Sequence, residues 1–141
     1  MTQHTRELIV LRRLAAPPDR VYEAFIDPGL LVRWMGPRGT SLAACAVDAR
    51  VGGRFRFELA FDGGGSVVLT GAYRDLDPGR RLAFTWGIEG EADDSEVAVH
   101  LAPFGTGTEL RLEHRGLAMH ELEQNEAGWN EFFDRLEMAL A

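Results

Sequence analysis

No lysine occurs among the 141 residues of this chain; all 15 basic residues are arginines. That absence excludes a phosphate-binding P-loop lysine, Schiff-base chemistry on a lysine amine and a serine–lysine dyad. Acidic residues outnumber basic ones 22 to 15, for a net charge of −7. The basic surface that displaces counterions is therefore missing, and no nucleic-acid partner is expected. The single cysteine, Cys45, has no partner for an intrachain disulfide, and one thiolate cannot build a structural zinc site. A reducing, cytoplasmic setting is the natural expectation. Serine stands only at positions 41, 66 and 95, and none lies in a Gly-x-Ser-x-Gly elbow. Long hydrophobic runs are also lacking. The polar stretch Met1–Glu7 meets only a few apolar residues before Arg12 and Arg13, too few for a signal-peptide core or a membrane span. No internal repeat, low-complexity tract or Pro/Ser-rich linker divides the chain, so one domain over residues 1–141 is expected.

What is present is strongly patterned. Glu7–Leu14 is β-branched and apolar enough for a strand, and Ala16-Pro17-Pro18-Asp19 stops it. Proline suits a helix start, because the amide it lacks would be unsatisfied there anyway. Val21, Tyr22, Phe25 and Ile26 fall at helical spacing, which predicts a short amphipathic helix over about 18–27. Asp27-Pro28-Gly29 breaks it, and Leu30–Met35 reads as a further helical turn or two before Gly36-Pro37 and Gly39. From about residue 40 to 116 the period becomes two. Phe55, Phe57, Leu59 and Phe61 alternate with Arg54, Arg56, Glu58 and Ala60; Leu82, Phe84 and Trp86 alternate with Arg81, Ala83 and Thr85. Val97, Val99 and Leu101 follow an acidic loop, Glu89–Asp94, and Leu110, Leu112 and His114 alternate with Glu109, Arg111 and Glu113. Asp62–Gly65, Asp77–Gly79 and Phe104–Gly107 are turns in which glycine supplies a positive φ. Connections this short make the strands antiparallel.

The last segment, about 119–140, is one long amphipathic helix. Leu122, Trp129, Phe133, Leu136 and Leu140 form its apolar stripe with Phe132 beside them, and Glu121, Glu123, Gln124, Glu131, Asp134 and Glu137 lie largely opposite. The predicted class is α+β: a curved antiparallel sheet of about six or seven strands around a long C-terminal helix, with two short N-terminal helices plugging one end.

Few constellations in this chain carry chemistry. His120-Glu121-Leu122-Glu123-Gln124 has a glutamine where a zinc-binding helix needs its second histidine, so no metal is expected there. Gly63-Gly64-Gly65 and Gly105-Thr106-Gly107 open no helix and read as hairpin turns, not phosphate loops. Cys45 is expected to pack as a small hydrophobe within Leu42–Val47. Asp48 and Arg50, two apart, suit a structural ion pair. His114 is in phase with Leu110 and Leu112 and should face inward, whereas His100 is out of phase with Val99 and Leu101. An inward histidine beneath a helix is either a satisfied core residue or a base or hydrogen-bond partner for a ligand. Tyr73, Trp86 and Trp34 carry the same two readings, core filler or cavity wall. Gly128 costs its helix about 1 kcal/mol relative to alanine, so either a close backbone approach or access to a cavity is expected there.

The run from Ala16 to Phe25, with Asp27-Pro28, Leu30-Leu31 and Arg33-Trp34 after it, resembles the opening of the heat-shock protein 90 ATPase activator-like family. The likeness continues through Asp48-Ala49-Arg50-Val51-Gly52-Gly53-Arg54-Phe55, Gly71-Ala72-Tyr73, Pro78 with Arg81-Leu82, and Phe84-Thr85-Trp86. Gly107-Thr108-Glu109-Leu110, His114, Gly116-Leu117 and Gly128-Trp129 complete it. The resemblance implies the helix-grip, START-like fold of the SRPBCC superfamily, whose members commonly hold an apolar ligand between the curved sheet and the last helix. The leading expectation is a small cytoplasmic protein that binds an apolar or amphipathic, lipid-like small molecule, with no cofactor. Phe57, Leu59, Tyr73, Phe84, Trp86, Leu112, His114, Trp129 and Phe133 are the expected lining, with Trp34 near the mouth and Tyr73 and His114 as orienting polar groups. A second reading is a cyclase- or hydrolase-like enzyme with His114 or Asp48 as base in the same cavity. A third is a stress-related chaperone partner acting through its surface, and the edge strands of such a sheet offer room for a homodimer.

Overall fold

Short turns dictate antiparallel neighbours, and all six strand pairings of the computed structural model are antiparallel. Residues 5–91 and 95–141 are described; residues 92–94 of the expected acidic loop lie outside them. The order is β1 (Thr5–Leu14), α1 (Pro18–Ile26), α2 (Pro28–Trp34), β2 (Thr40–Val47), β3 (Arg54–Phe61), β4 (Ser66–Asp77), β5 (Arg81–Ile88), β6 (Ser95–Phe104) and β7 (Gly107–Ala118). A single 3-10 turn, Met119–Glu121, then leads into α3 (Leu122–Leu140). The strands form one sheet in the order β1-β7-β6-β5-β4-β3-β2. This is the expected helix-grip α+β fold.

Curvature comes from local irregularity. The register slips between Arg6 and Leu8, between Leu42 and Ala44, and between Tyr73 and Asp75, and each bulge bends its strand and increases the twist. Beside the last of these, β4 and β5 approach so closely at Gly71 that a Cβ would overlap the Thr85 carbonyl and the Phe55 ring. Thr85 itself is buried, out of step with the predicted alternation. Its hydroxyl accepts a hydrogen bond from the Ala72 amide at 2.8 Å, which accounts for the inward turn of this polar side chain.

The two short helices follow from their starts. Pro18 opens α1, and the Asp27 carboxylate caps α2 by accepting from the Gly29 amide at 2.9 Å. Trp34 ties them together: its indole Nε1–H donates to the Ala24 carbonyl at 2.9 Å, and its ring meets Phe25 edge-on at 4.9 Å. Phe25 in turn reaches Phe133 of α3 at 6.5 Å. Arg135 of α3 donates to the carbonyls of Gly36, Pro37 and Thr40 at 3.0–3.2 Å, fixing the turn after α2. These contacts close the grip under the second half of the long helix.

On β1 the inward positions are Leu8, Val10, Arg12 and Leu14. Arg12 therefore points toward α3, where its guanidinium donates to Asp134 at 3.0 Å, Glu137 at 3.1 Å and the Asn130 side chain at 3.1 Å. The outer face behaves as the alternation predicts for His100, which bonds Glu113 at 3.2 Å. No helix among the described residues is long and apolar enough to cross a membrane.

Candidate functional site

The stripe along α3 changes character halfway. Phe133, Leu136 and Leu140 are buried against the sheet. Toward the N-terminus of the helix, Glu121, Gln124, Asn125, Gly128 and Phe132 share one face by their three- and four-residue spacing. Phe132 is buried, but the other four do not pack down into the core. With Trp129 all five form one wall of a cavity of about 370 Å³. The facing wall is the sheet: Leu59 and Phe61 of β3, Val67 and Leu69 of β4, Trp86 and Ile88 of β5, and His114, Gly116 and Leu117 of β7. Pro37, Thr40, Glu91 and Ser95 complete the lining. Phe61 is 44% exposed and Ile88 39%, which places them at the mouth.

Two indoles decide where the space ends. Trp86 and Trp129 lie 5.0 Å apart between ring centroids and divide the cavity from a packed aromatic interior. Behind them Phe55 stacks on Phe57 at 4.8 Å and meets Phe84 edge-on at 5.5 Å, with Tyr73 at 5.5 Å. The gap left among these rings is about 10 Å³, no more than one water needs. The grip is thus filled at its middle and open at one end.

The expected lining separates accordingly. Leu59, Trp86, His114 and Trp129 come together around the cavity. Phe57, Tyr73 and Phe84 surround the small gap behind the indoles instead. Leu112 and Phe133 are wholly buried in the core. Trp34 is not near the mouth: it is fully buried at the α1–α2 corner, held there by its bond to Ala24. Tyr73 does not line the large cavity, and burial, with Cys45, Tyr22 and Asp48 nearby, raises its phenol well above the usual range. The missed residues are the apolar Phe61, Val67, Leu69, Ile88, Leu117 and Phe132 and the polar Thr40, Glu91, Ser95, Glu121, Gln124 and Asn125. For the last three the helical spacing around Gly128 is the signal in the sequence, because a bare glycine among polar side chains on a core-facing helix marks an unfilled wall. A Cβ at Gly128 would meet nothing within 4 Å.

His114 sits at the base of the cavity and is fully buried. Its Nδ1 lies 3.1 Å from Trp129 Nε1, and an indole nitrogen can only donate. Nδ1 is therefore the acceptor and the proton is on Nε2, which donates to Ser95 Oγ at 3.1 Å. Ser95 passes its own hydrogen to the Trp86 carbonyl at 2.5 Å. Burial lowers the imidazole pKa to about 4, so the ring is neutral at pH 7. This chain runs opposite to a serine–histidine dyad, in which the imidazole must accept the serine proton. The one basic lone pair is already occupied, so the arrangement does not offer a general base. Asp48 is remote from this chemistry: its carboxylate pairs with Arg50 Nε at 2.9 Å on the exposed turn after β2. Cys45 is half-buried and its thiol is raised by burial, which keeps it unreactive. Among the described residues no three histidine, cysteine, aspartate or glutamate side chains converge to hold a metal.

Comparison with known proteins agrees with this architecture. The family model described as activator of Hsp90 ATPase homolog 1-like protein matches residues 15–141. Among solved structures, a protein from Chromobacterium violaceum is 30% identical with a TM-score of 0.88, over 95% of this chain and 96% of that one. CalU16 from Micromonospora echinospora is 33% identical with a TM-score of 0.74, over 97% of this chain and 77% of that one. The AHSA1 protein from Silicibacter pomeroyi is 26% identical with a TM-score of 0.84, over 96% and 97%. No curated protein matches the chain. A match that runs from the end of β1 through the whole of α3 assigns the family: the chain belongs to the activator of Hsp90 ATPase homolog 1-like family.

Proposed function

We propose that this protein binds an amphipathic small molecule in the cavity beneath the first half of α3, and that it does so in the cytoplasm. One observation carries the reading: a cavity of about 370 Å³ whose apolar lining is interspersed with hydrogen-bonding side chains. That volume lies within the range of small-molecule sites. Leu59, Val67, Leu69, Trp86, Trp129 and Phe132 would take the apolar body, at roughly 25 cal/mol per Å² of apolar area removed from water. Thr40, Gln124 and Asn125 would orient a polar end. The neutral, fully partnered His114 supports binding over catalysis, because a base would have to break its bond to Trp129 before acting.

The test is mass spectrometry of material released from the natively purified protein, with calorimetric titration of decanol as a defined probe. An amphiphile released in near-stoichiometric amount, or saturable uptake of decanol, is the expected result. A protein that releases nothing and takes up no probe would sink the proposal. The family's description carries a second reading, contact with a chaperone. Stimulation of a chaperone ATPase by the purified chain would favour it, and the same assay on cavity-filled protein would tell whether the two roles are linked.

A further inference from the structure

The charge of the cavity lining is one-sided. Among the described side chains Glu91 and Glu121 border it and no arginine does; the chain has no lysine to supply one. The His114 imidazole in the wall is neutral, held so by the indole donor at Nδ1 and by burial. A bound carboxylate or phosphate head would thus meet two like charges and, among the described side chains, no cation to compensate its desolvation. At the start of α3 the chain's own carboxylates, Glu121 at the N-cap and Glu123 in the first turn, already offset the partial positive charge, and Glu121 also accepts from the Ala118 amide of the preceding turn at 2.8 Å. An ammonium head faces the opposite situation. It finds the carboxylates of Glu91 and Glu121 and the rings of Trp86, Trp129 and Phe132 in the same lining, and aromatic rings attract cations through their quadrupoles.

We infer that the cavity ranks amphiphiles by head-group charge, taking protonated amines before neutral alcohols and excluding carboxylates. This rests on the binding role proposed above and specifies the class of ligand. The experiment is calorimetric titration of the full-length protein at pH 7 with decylamine, decanol and decanoate, which share one tail and differ only in the head. The expected order of affinity is amine, alcohol, carboxylate. In Glu91→Gln the amine should weaken two- to fivefold while the alcohol is unchanged, the scale of a partly exposed ion pair. Glu91→Gln/Glu121→Gln should bring amine and alcohol together, and because glutamine still accepts from the Ala118 amide the helix start is kept. Equal affinity for all three probes, or tightest binding of decanoate, overturns the head-group inference and leaves the cavity as a binding site. Failure of every probe to bind overturns both.

Discussion

At the scale of single residues, His114 is the side chain whose chemistry is most constrained. Protonating it would place an Nδ1–H against the Trp129 Nε1–H, two donors face to face. Its folded pKa of about 4 lies below the ordinary histidine value, so between these limits the unfolded chain binds a proton that the native protein does not. Stability must therefore fall as the pH is lowered from about 6.5 toward 4. The loss amounts to about 2 kcal/mol by pH 5, before most carboxylates titrate. Denaturant melts at pH 7 and pH 5 measure it. In His114→Gln the amide can accept from Trp129 and donate to Ser95 without titrating, and this part of the pH dependence should vanish. An equal loss in the variant would show that another group is responsible. The inward phase of His114 was legible in the sequence from its step with Leu110 and Leu112. Its tautomer was not, because that depends on a tryptophan 15 residues away on another element.

At the scale of elements, the edge strand β1 is held to α3 by more than its ladder with β7. Arg12 occupies a core-facing position, lies 6.0 Å over the Phe133 ring and spans to Asp134, Glu137 and Asn130. Its side chain is 17% exposed, whereas both carboxylates are about half exposed, so solvent screens part of the attraction. Arg12→Met keeps the aliphatic stem and removes the three polar ties. A loss of about 1–2 kcal/mol is expected in equilibrium unfolding, with faster amide exchange in β1 than in β6. A variant as stable as the parent, with unchanged exchange, would show that packing alone holds this edge. Periodicity and turn residues made the elements themselves legible, since both are local properties of the chain. The helix corner was only partly so. Trp34 stands beside Gly36-Pro37 like a residue at an opening, yet its indole finds the Ala24 carbonyl ten residues earlier and the side chain is drawn into the core.

At the scale of the whole molecule, the open end and the filled middle are two halves of one packing solution. The seat of the cavity is not written in any one segment: it depends on where α3 crosses the sheet and on Trp86 and Trp129 stopping the core at a plane between them. Gly128 is the residue at which this choice is testable. Gly128→Leu restores helix propensity, worth about 1 kcal/mol, and sends a side chain into the open wall. The variant should melt at a higher temperature and lose decanol uptake. A more stable protein that still binds would move the ligand elsewhere. The same pair of indoles has an optical consequence. Of the chain's three tryptophans, two border the ligand space, and one of these hydrogen-bonds the titrating imidazole, while Trp34 is sealed at the far corner. Emission from the intact protein thus carries two reporting fluorophores and one internal reference. Occupancy of the cavity and protonation of His114 can be followed in the unmodified chain without any added label.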